Sequence, residues 1–143
     1  MPEIRGAVDI LRPVEDVFAF LTELENNLQW ETGVVEMKKT TEGPLAVGSK
    51  GRRVEKLFGT DEGTWEVTEH VPNESLGMTF ESQRYVATAG YKLEATDGGT
   101  RLNYWFNGVP RKILFKLLMP LMMPMFRRQV RKDFAKLKGI LES

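Results

Sequence analysis

Between Gly33 and Gly108 the chain passes through six strand-like stretches joined by connections too short to hold a crossover helix. VVEMKKT is followed by the turn EGPLAVG, and SKGRRVEKLFG runs into TDEGTWEVTEHV. The turn PNES precedes LGMTFESQ and YVATAGYKLEAT, and DGG leads into TRLNYWFNG. Parallel pairing needs a dozen or more residues between strands, so these must pair antiparallel. Asp97-Gly98-Gly99 is the strongest hairpin signal, because glycine adopts a positive φ at a tight turn without steric cost. In the last pair, Tyr85, Ala87, Ala89, Tyr91 and Leu93 share one face, and Leu102, Tyr104 and Phe106 share a face of the partner strand.

The flanks change period. EIRGAVDIL sets Ile4, Gly6, Val8 and Ile10 against Arg5, Ala7 and Asp9, the alternation of a half-buried strand. In RPVEDVFAFLTELENNLQW, Pro13 suits a first helical position and Glu15 and Asp16 suit the positive end of a helix dipole. Val17, Phe18, Phe20 and Leu21 form its apolar stripe, and Asn26-Asn27 predict a break into two short helices ending near Trp30. Pro110 opens a helical C-terminus, in which Phe126, Val130, Phe134, Leu137 and Leu141 recur three and four apart. Pro120 and Pro124 each remove a backbone donor, which predicts a short helix near 110–118, a break or kink, and a longer helix from about 121–125 to 141. With no repeat or linker, residues 1–143 read as one α+β domain. Seven curved antiparallel strands wrap a long C-terminal helix, with two short helices between the first two strands. A curved sheet around a helix need not close fully, and the gap becomes a pocket.

The chain contains no cysteine and one histidine, which excludes disulfides, thiolate catalysis and a histidine-rich metal site. No phosphate-cradling glycine loop, nucleophile elbow or metal-ligand spacing occurs, so no metal and no cofactor is expected and catalysis has no local signature. MPEIRGAVDI lacks the basic-then-apolar pattern of a signal peptide, and a cytoplasmic location is the default. The zero net charge hides an asymmetry: residues 1–108 balance to −7 and residues 109–143 to +7. A basic segment can bind nucleic acid or an anionic membrane. The favoured reading is a helix docked on an acidic body with Lys and Arg facing solvent, and no nucleic-acid partner is expected.

LFKLLMPLMMPMFRR, residues 114–128, poses the sharpest functional question. Its thirteen residues from Leu114 to Phe126 would reach only about 20 Å as a helix, short of the roughly 30 Å hydrocarbon core of a bilayer. It does not span a membrane. It reads as the hinge and roof of a pocket, with transient membrane contact through Arg127, Arg128, Arg131 and Lys132 as a secondary role.

LRPVEDVFAFLTELENNLQW resembles the start of polyketide cyclase/dehydrase and lipid-transport proteins, in the superfamily of START domains and the birch pollen allergen. Those proteins typically read apolar–x–x–Pro–x–x–x–Val–Phe–x–Phe with a Trp shortly after. GPLAVGSKGR is similar to their Val-Gly step into the third strand, WEVTEHVPNESLGMTFES to their Val–x–Glu–x–x–Pro–x–x–x–Leu segment, and FAKLKGILES to their closing Leu-Lys–x–x–Leu-Glu. The resemblance covers nearly the whole chain. It implies the helix-grip fold, with a hydrophobic cavity between sheet and C-terminal helix, in a family whose fold serves carriers and cyclases alike.

Trp65, Met78, Phe80, Tyr85, Tyr91, Tyr104 and Phe106 are expected on strands facing the helix, with Ala87 and Ala89 leaving space between two of the tyrosines. Tyrosine hydroxyls on one face need polar partners, which a cavity supplies. Four of the seven methionines fall between Met119 and Met125, and a flexible, polarizable side chain adapts to varied ligands. Met119, Met122, Met123, Phe126 and Val130 are the candidate roof. The expected partner is a small hydrophobic molecule: a lipid, sterol, polyketide or other aromatic compound. The alternative is a cyclase or dehydratase, for which Tyr85, Tyr91, Tyr104 and Arg52 are the weak catalytic candidates. Of Arg52 and Arg53, alternation turns one inward, while Glu55, Glu66 and Glu69 read as solvated and His70 as a surface residue. The chain is expected to be a monomer or a homodimer.

Overall fold

The computed structural model describes residues 3–143. The chain forms β1 (Glu3–Ile10), α1 (Val14–Thr22), a 3-10 turn (Leu24–Asn26), α2 (Asn27–Trp30), β2 (Val34–Lys39) and β3 (Lys50–Lys56). Then follow β4 (Thr60–Val71), β5 (Ser75–Ser82), β6 (Tyr85–Thr96), β7 (Gly99–Pro110) and α3 (Ile113–Glu142). The strands make one antiparallel sheet in the order β1-β7-β6-β5-β4-β3-β2. Every neighbour except β1–β7 is a hairpin partner, as short connections demand. Register shifts at Val34/Glu36 and Val67/Glu69 help bend the sheet around α3, which is the helix-grip arrangement.

The helical break after α1 has a local cause. Asn26 Nδ2 donates to the Phe20 carbonyl at 3.1 Å, satisfying a backbone group that the end of α1 leaves free. Pro13 stands one residue outside α1, in extended conformation, with Glu15 and Asp16 in the first turn. The β6–β7 hairpin forms at Asp97-Gly98, but none of Asp97, Gly98 or Gly99 has a positive φ. Gly99 is needed for a different reason: a Cβ there would lie 2.1 Å from the Ile10 carbonyl oxygen, where the end of β1 crosses the hairpin.

The expected break in the C-terminal helix is absent, and Pro110, expected to open that helix, is instead the last residue of β7. α3 runs for 30 residues without interruption at Pro120 or Pro124. Both prolines are exposed, so the carbonyls they deprive of a donor face water. The other side of α3 carries the buried stripe, with Phe134 and Leu137 deepest. Its far end is tied to β1 by Glu142, which accepts the Leu11 backbone N–H at 2.9 Å, and by Lys138, which donates to the Asp9 carbonyl at 2.5 Å. No helix among the described residues is long and apolar enough to cross a membrane.

Candidate functional site

A partly open cavity of about 330 Å³ lies between the concave sheet and α3. It falls within the size range of small-molecule sites, roughly 300–1,000 Å³. Its roof is Met119, Met122, Met123, Phe126 and Val130 from α3, and its floor includes Met78, Phe80, Tyr85, Ala89, Tyr91, Tyr104 and Phe106 from β5, β6 and β7. The helix supplies side chains three and four apart and the strands supply every second residue, so two different periods converge on one space.

One end is aromatic. Phe134 of α3 stacks on Tyr104 with ring centroids 3.8 Å apart, and meets Trp30 at 4.9 Å and Tyr91 at 6.1 Å. Just beyond it, Asp133 accepts from the Thr32 hydroxyl at 2.7 Å and from Gln129 Nε2 at 2.9 Å, clasping α3 to the segment after α2.

The wall at β3 is charged. Arg53 Nη1 lies 2.7 Å from Glu31 Oε2, and Arg53 Nε donates to Glu55 Oε1 at 2.7 Å. The Tyr85 hydroxyl donates to the same Glu55 oxygen at 3.0 Å, and the guanidinium stands 5.3 Å from the centre of the Phe80 ring. The side chains of Glu31, Arg53 and Glu55 are only 16–19% exposed, so this is an ion-pair network inside an apolar pocket. Burial raises the Glu31 pKa, and Arg53 only partly opposes it. For Arg53 burial acts downward, but the two carboxylates outweigh it and hold the guanidinium firmly charged. Burial also raises Tyr85, Tyr91 and Tyr104, so all three stay neutral hydroxyls at physiological pH. Arg53 faces two carboxylates, which leaves the cluster with a formal excess of one negative charge when all are ionised.

Several expectations are corrected by these positions. Arg52 is on the outer face, exposed and paired with Glu62 at 2.8 Å and Glu36 at 3.5 Å, so its neighbour Arg53 is the inward arginine. Glu55 is inside and partnered, whereas Glu66 pairs at 3.9 Å with exposed Lys50. Trp65 is buried but does not line the cavity: its ring lies over Gly51, where a Cβ would come within 2.1 Å, and its Nε1 donates to the Arg52 carbonyl. Ala87 also falls outside the lining, because the Phe106 ring leans over the adjacent Gly108. His70 is half-buried, its ring 5.4 Å from that of Phe18. Glu31 was not singled out in the sequence at all. Its only signal there is its position directly after Trp30, at the end of a short helix.

The family model for polyketide cyclase/dehydrase and lipid transport matches residues 1–142. The chain belongs to this family. Among solved structures, CV1439 of Chromobacterium violaceum superimposes with a TM-score of 0.75 at 17% identity, over 100% of this chain and 99% of that one. TTHA0849 of Thermus thermophilus gives 0.80 at 18% identity, over 96% and 95%. DynU16, from the dynemicin biosynthetic locus, gives 0.70 at 16% identity, with this chain spanning 48% of its length. Likenesses at such identities establish the shared fold. No curated protein matches the sequence. For a polyketide cyclase/dehydrase and lipid transport family member the open question is what the cavity takes.

Proposed function

We propose that this protein binds, and in that form carries, a small and largely apolar molecule such as a lipid, sterol, polyketide or aromatic compound. The ligand lies under the methionines of α3, and its polar end meets Glu31, Arg53, Tyr85 and Tyr91. The observation that carries this reading is an apolar cavity of about 330 Å³ with one largely buried charged cluster in its wall. Apolar burial at about 25 cal/mol per Å² supplies affinity, and the polar cluster supplies orientation. The excess carboxylate favours a ligand head that donates hydrogen bonds, such as a hydroxyl or phenol, over a carboxylate head that would meet Glu31 and Glu55. A cytoplasmic carrier fits a chain without cysteine.

A second reading, a cyclase or dehydratase on a polyketide-like substrate, has one observation in its favour. Glu31 is a largely buried carboxyl with a raised pKa beside an arginine and neutral tyrosines, a combination suited to general acid–base work.

The test is displacement of a fluorescent apolar dye by candidate ligands, followed through Trp30, which lines the cavity. Ala89 also lines it, and Ala89→Trp fills the space; the dye should then bind at least about tenfold more weakly while the fold is kept. Dye binding unchanged by Ala89→Trp, or absent in the natural protein, sinks the binding reading. Turnover of a bound polyketide that is lost in Glu31→Gln would favour the second reading over the first.

A further inference from the structure

The first half of α3 is apolar on two opposite sides. One side, with Phe115, Met119, Met122, Met123 and Phe126, roofs the cavity. The other carries Ile113, Leu114, Leu117 and Leu121, which are 75%, 61%, 71% and 80% exposed, together with partly exposed Leu118 and Met125. At about 100° per residue these six fan over roughly 140° of the helix circumference, a continuous stripe with no protein packed on it among the described residues. A second exposed apolar group stands at the cavity rim. Phe58, in the β3–β4 turn, is 69% exposed and held at φ 55°, a conformation unfavourable for an aromatic residue. Arg84 pins that turn through bonds to the Leu57 and Phe58 carbonyls at 2.5 and 2.6 Å.

Charge decides what covers this surface. From Arg111 to Lys132 the chain has seven Lys and Arg and no Asp or Glu. Arg128 and Lys132 continue the outward face of the helix where the leucines stop, and Arg111, Lys112 and Lys116 surround its start. We infer that the outward face of α3, with Phe58, is a docking surface for an anionic lipid membrane. The apolar side chains enter the headgroup–acyl boundary and the basic ones meet lipid phosphates and carboxylates. The helix lies in the interface and does not cross it, in keeping with its short apolar run and the charges that follow it. A symmetric contact with a second copy fits the surface less well, since it would set the same cations against themselves. The inference does not depend on the proposed ligand. If that ligand is a lipid, docking here brings the rim of its cavity to the bilayer.

The full-length protein is sedimented with phosphatidylcholine vesicles, with and without phosphatidylserine, at low and high salt. The expected result is partition onto the anionic vesicles that falls with salt. Leu117→Ser with Leu121→Ser, at exposed positions outside the cavity lining, should weaken it about tenfold or more while circular dichroism and dye binding in lipid-free solution stay unchanged. Phe58→Ser and the pair Arg128→Glu, Lys132→Glu should each weaken it independently. No partition at low salt, or equal partition of natural protein and leucine variant, overturns the inference. So does a lipid-free dimer that the leucine variant dissolves. Dye binding in lipid-free solution reports on the cavity separately, so failure of docking and failure of the ligand reading are distinguishable.

Discussion

Arg53 carries more of the site than any other residue. Removing a charge from a buried pair leaves its partner without compensation, whereas removing the whole network removes the desolvation cost as well. Arg53→Met should therefore destabilise the protein by about 3–5 kcal/mol, because Glu31 and Glu55 then stand unpaired in an apolar wall. The triple variant Glu31→Gln, Arg53→Met, Glu55→Gln should recover most of that loss. Urea denaturation of the two variants checks it, and equal stabilities would mean that the network is more solvated than its geometry indicates. Such a cluster is weak support for the fold and stronger support for a ligand-orienting role, since an apolar wall would have been at least as stable.

α3 is the element that departs furthest from its local preferences. Two prolines interrupt its backbone bonding, and yet it runs unbroken for 30 residues because its inner face is packed along β1, β7 and α2. Local propensity says break, and tertiary packing overrides it. Since Pro120 is exposed and the helix already has the geometry an alanine prefers, Pro120→Ala should stabilise the protein by about 1–3 kcal/mol. Thermal and urea unfolding both report it. If the variant is instead less stable, the proline sets a bend that the packing of the roof requires.

For the whole molecule the consequence is a pH dependence of unusual sign for a carboxylate. Glu31 has an ordinary value of 4.5 in the unfolded chain and a raised one in the fold, so between the two the native state holds more protons. Its contribution to stability is fully present below pH 4.5 and is lost as pH rises through the folded value. Glu31→Gln should remove that decline, so the difference in unfolding free energy between variant and natural protein should grow as pH rises above 4.5 toward neutrality. Denaturant melts of both proteins at a series of pH values measure it. A difference that is flat across the range would show that Glu31 is not held above its ordinary value.

The antiparallel sheet, its strand limits apart from the end of β7 at Pro110, and the buried stripe of α3 could be read from the amino acids alone, because alternation, turn residues and helical spacing are local properties. Pro120 and Pro124 misled because helix continuity depended on a packed face that local rules do not include. At the site, alternation said that one of Arg52 and Arg53 points inward but not which, since Val54, the apolar residue of β3, shares a face with outward Arg52 and is itself buried. Glu31 was invisible for a related reason. It meets Arg53 only when the end of α2 is folded against β3, and nothing in the run Trp30-Glu31-Thr32-Gly33 encodes that approach. By itself, then, the sequence determined the strands, their order and the helical flanks, which follow from near-neighbour sterics and periodic burial. Tertiary structure decided which charges share the cavity and which leucines of α3 stay outside, because both depend on contacts between residues far apart in the chain.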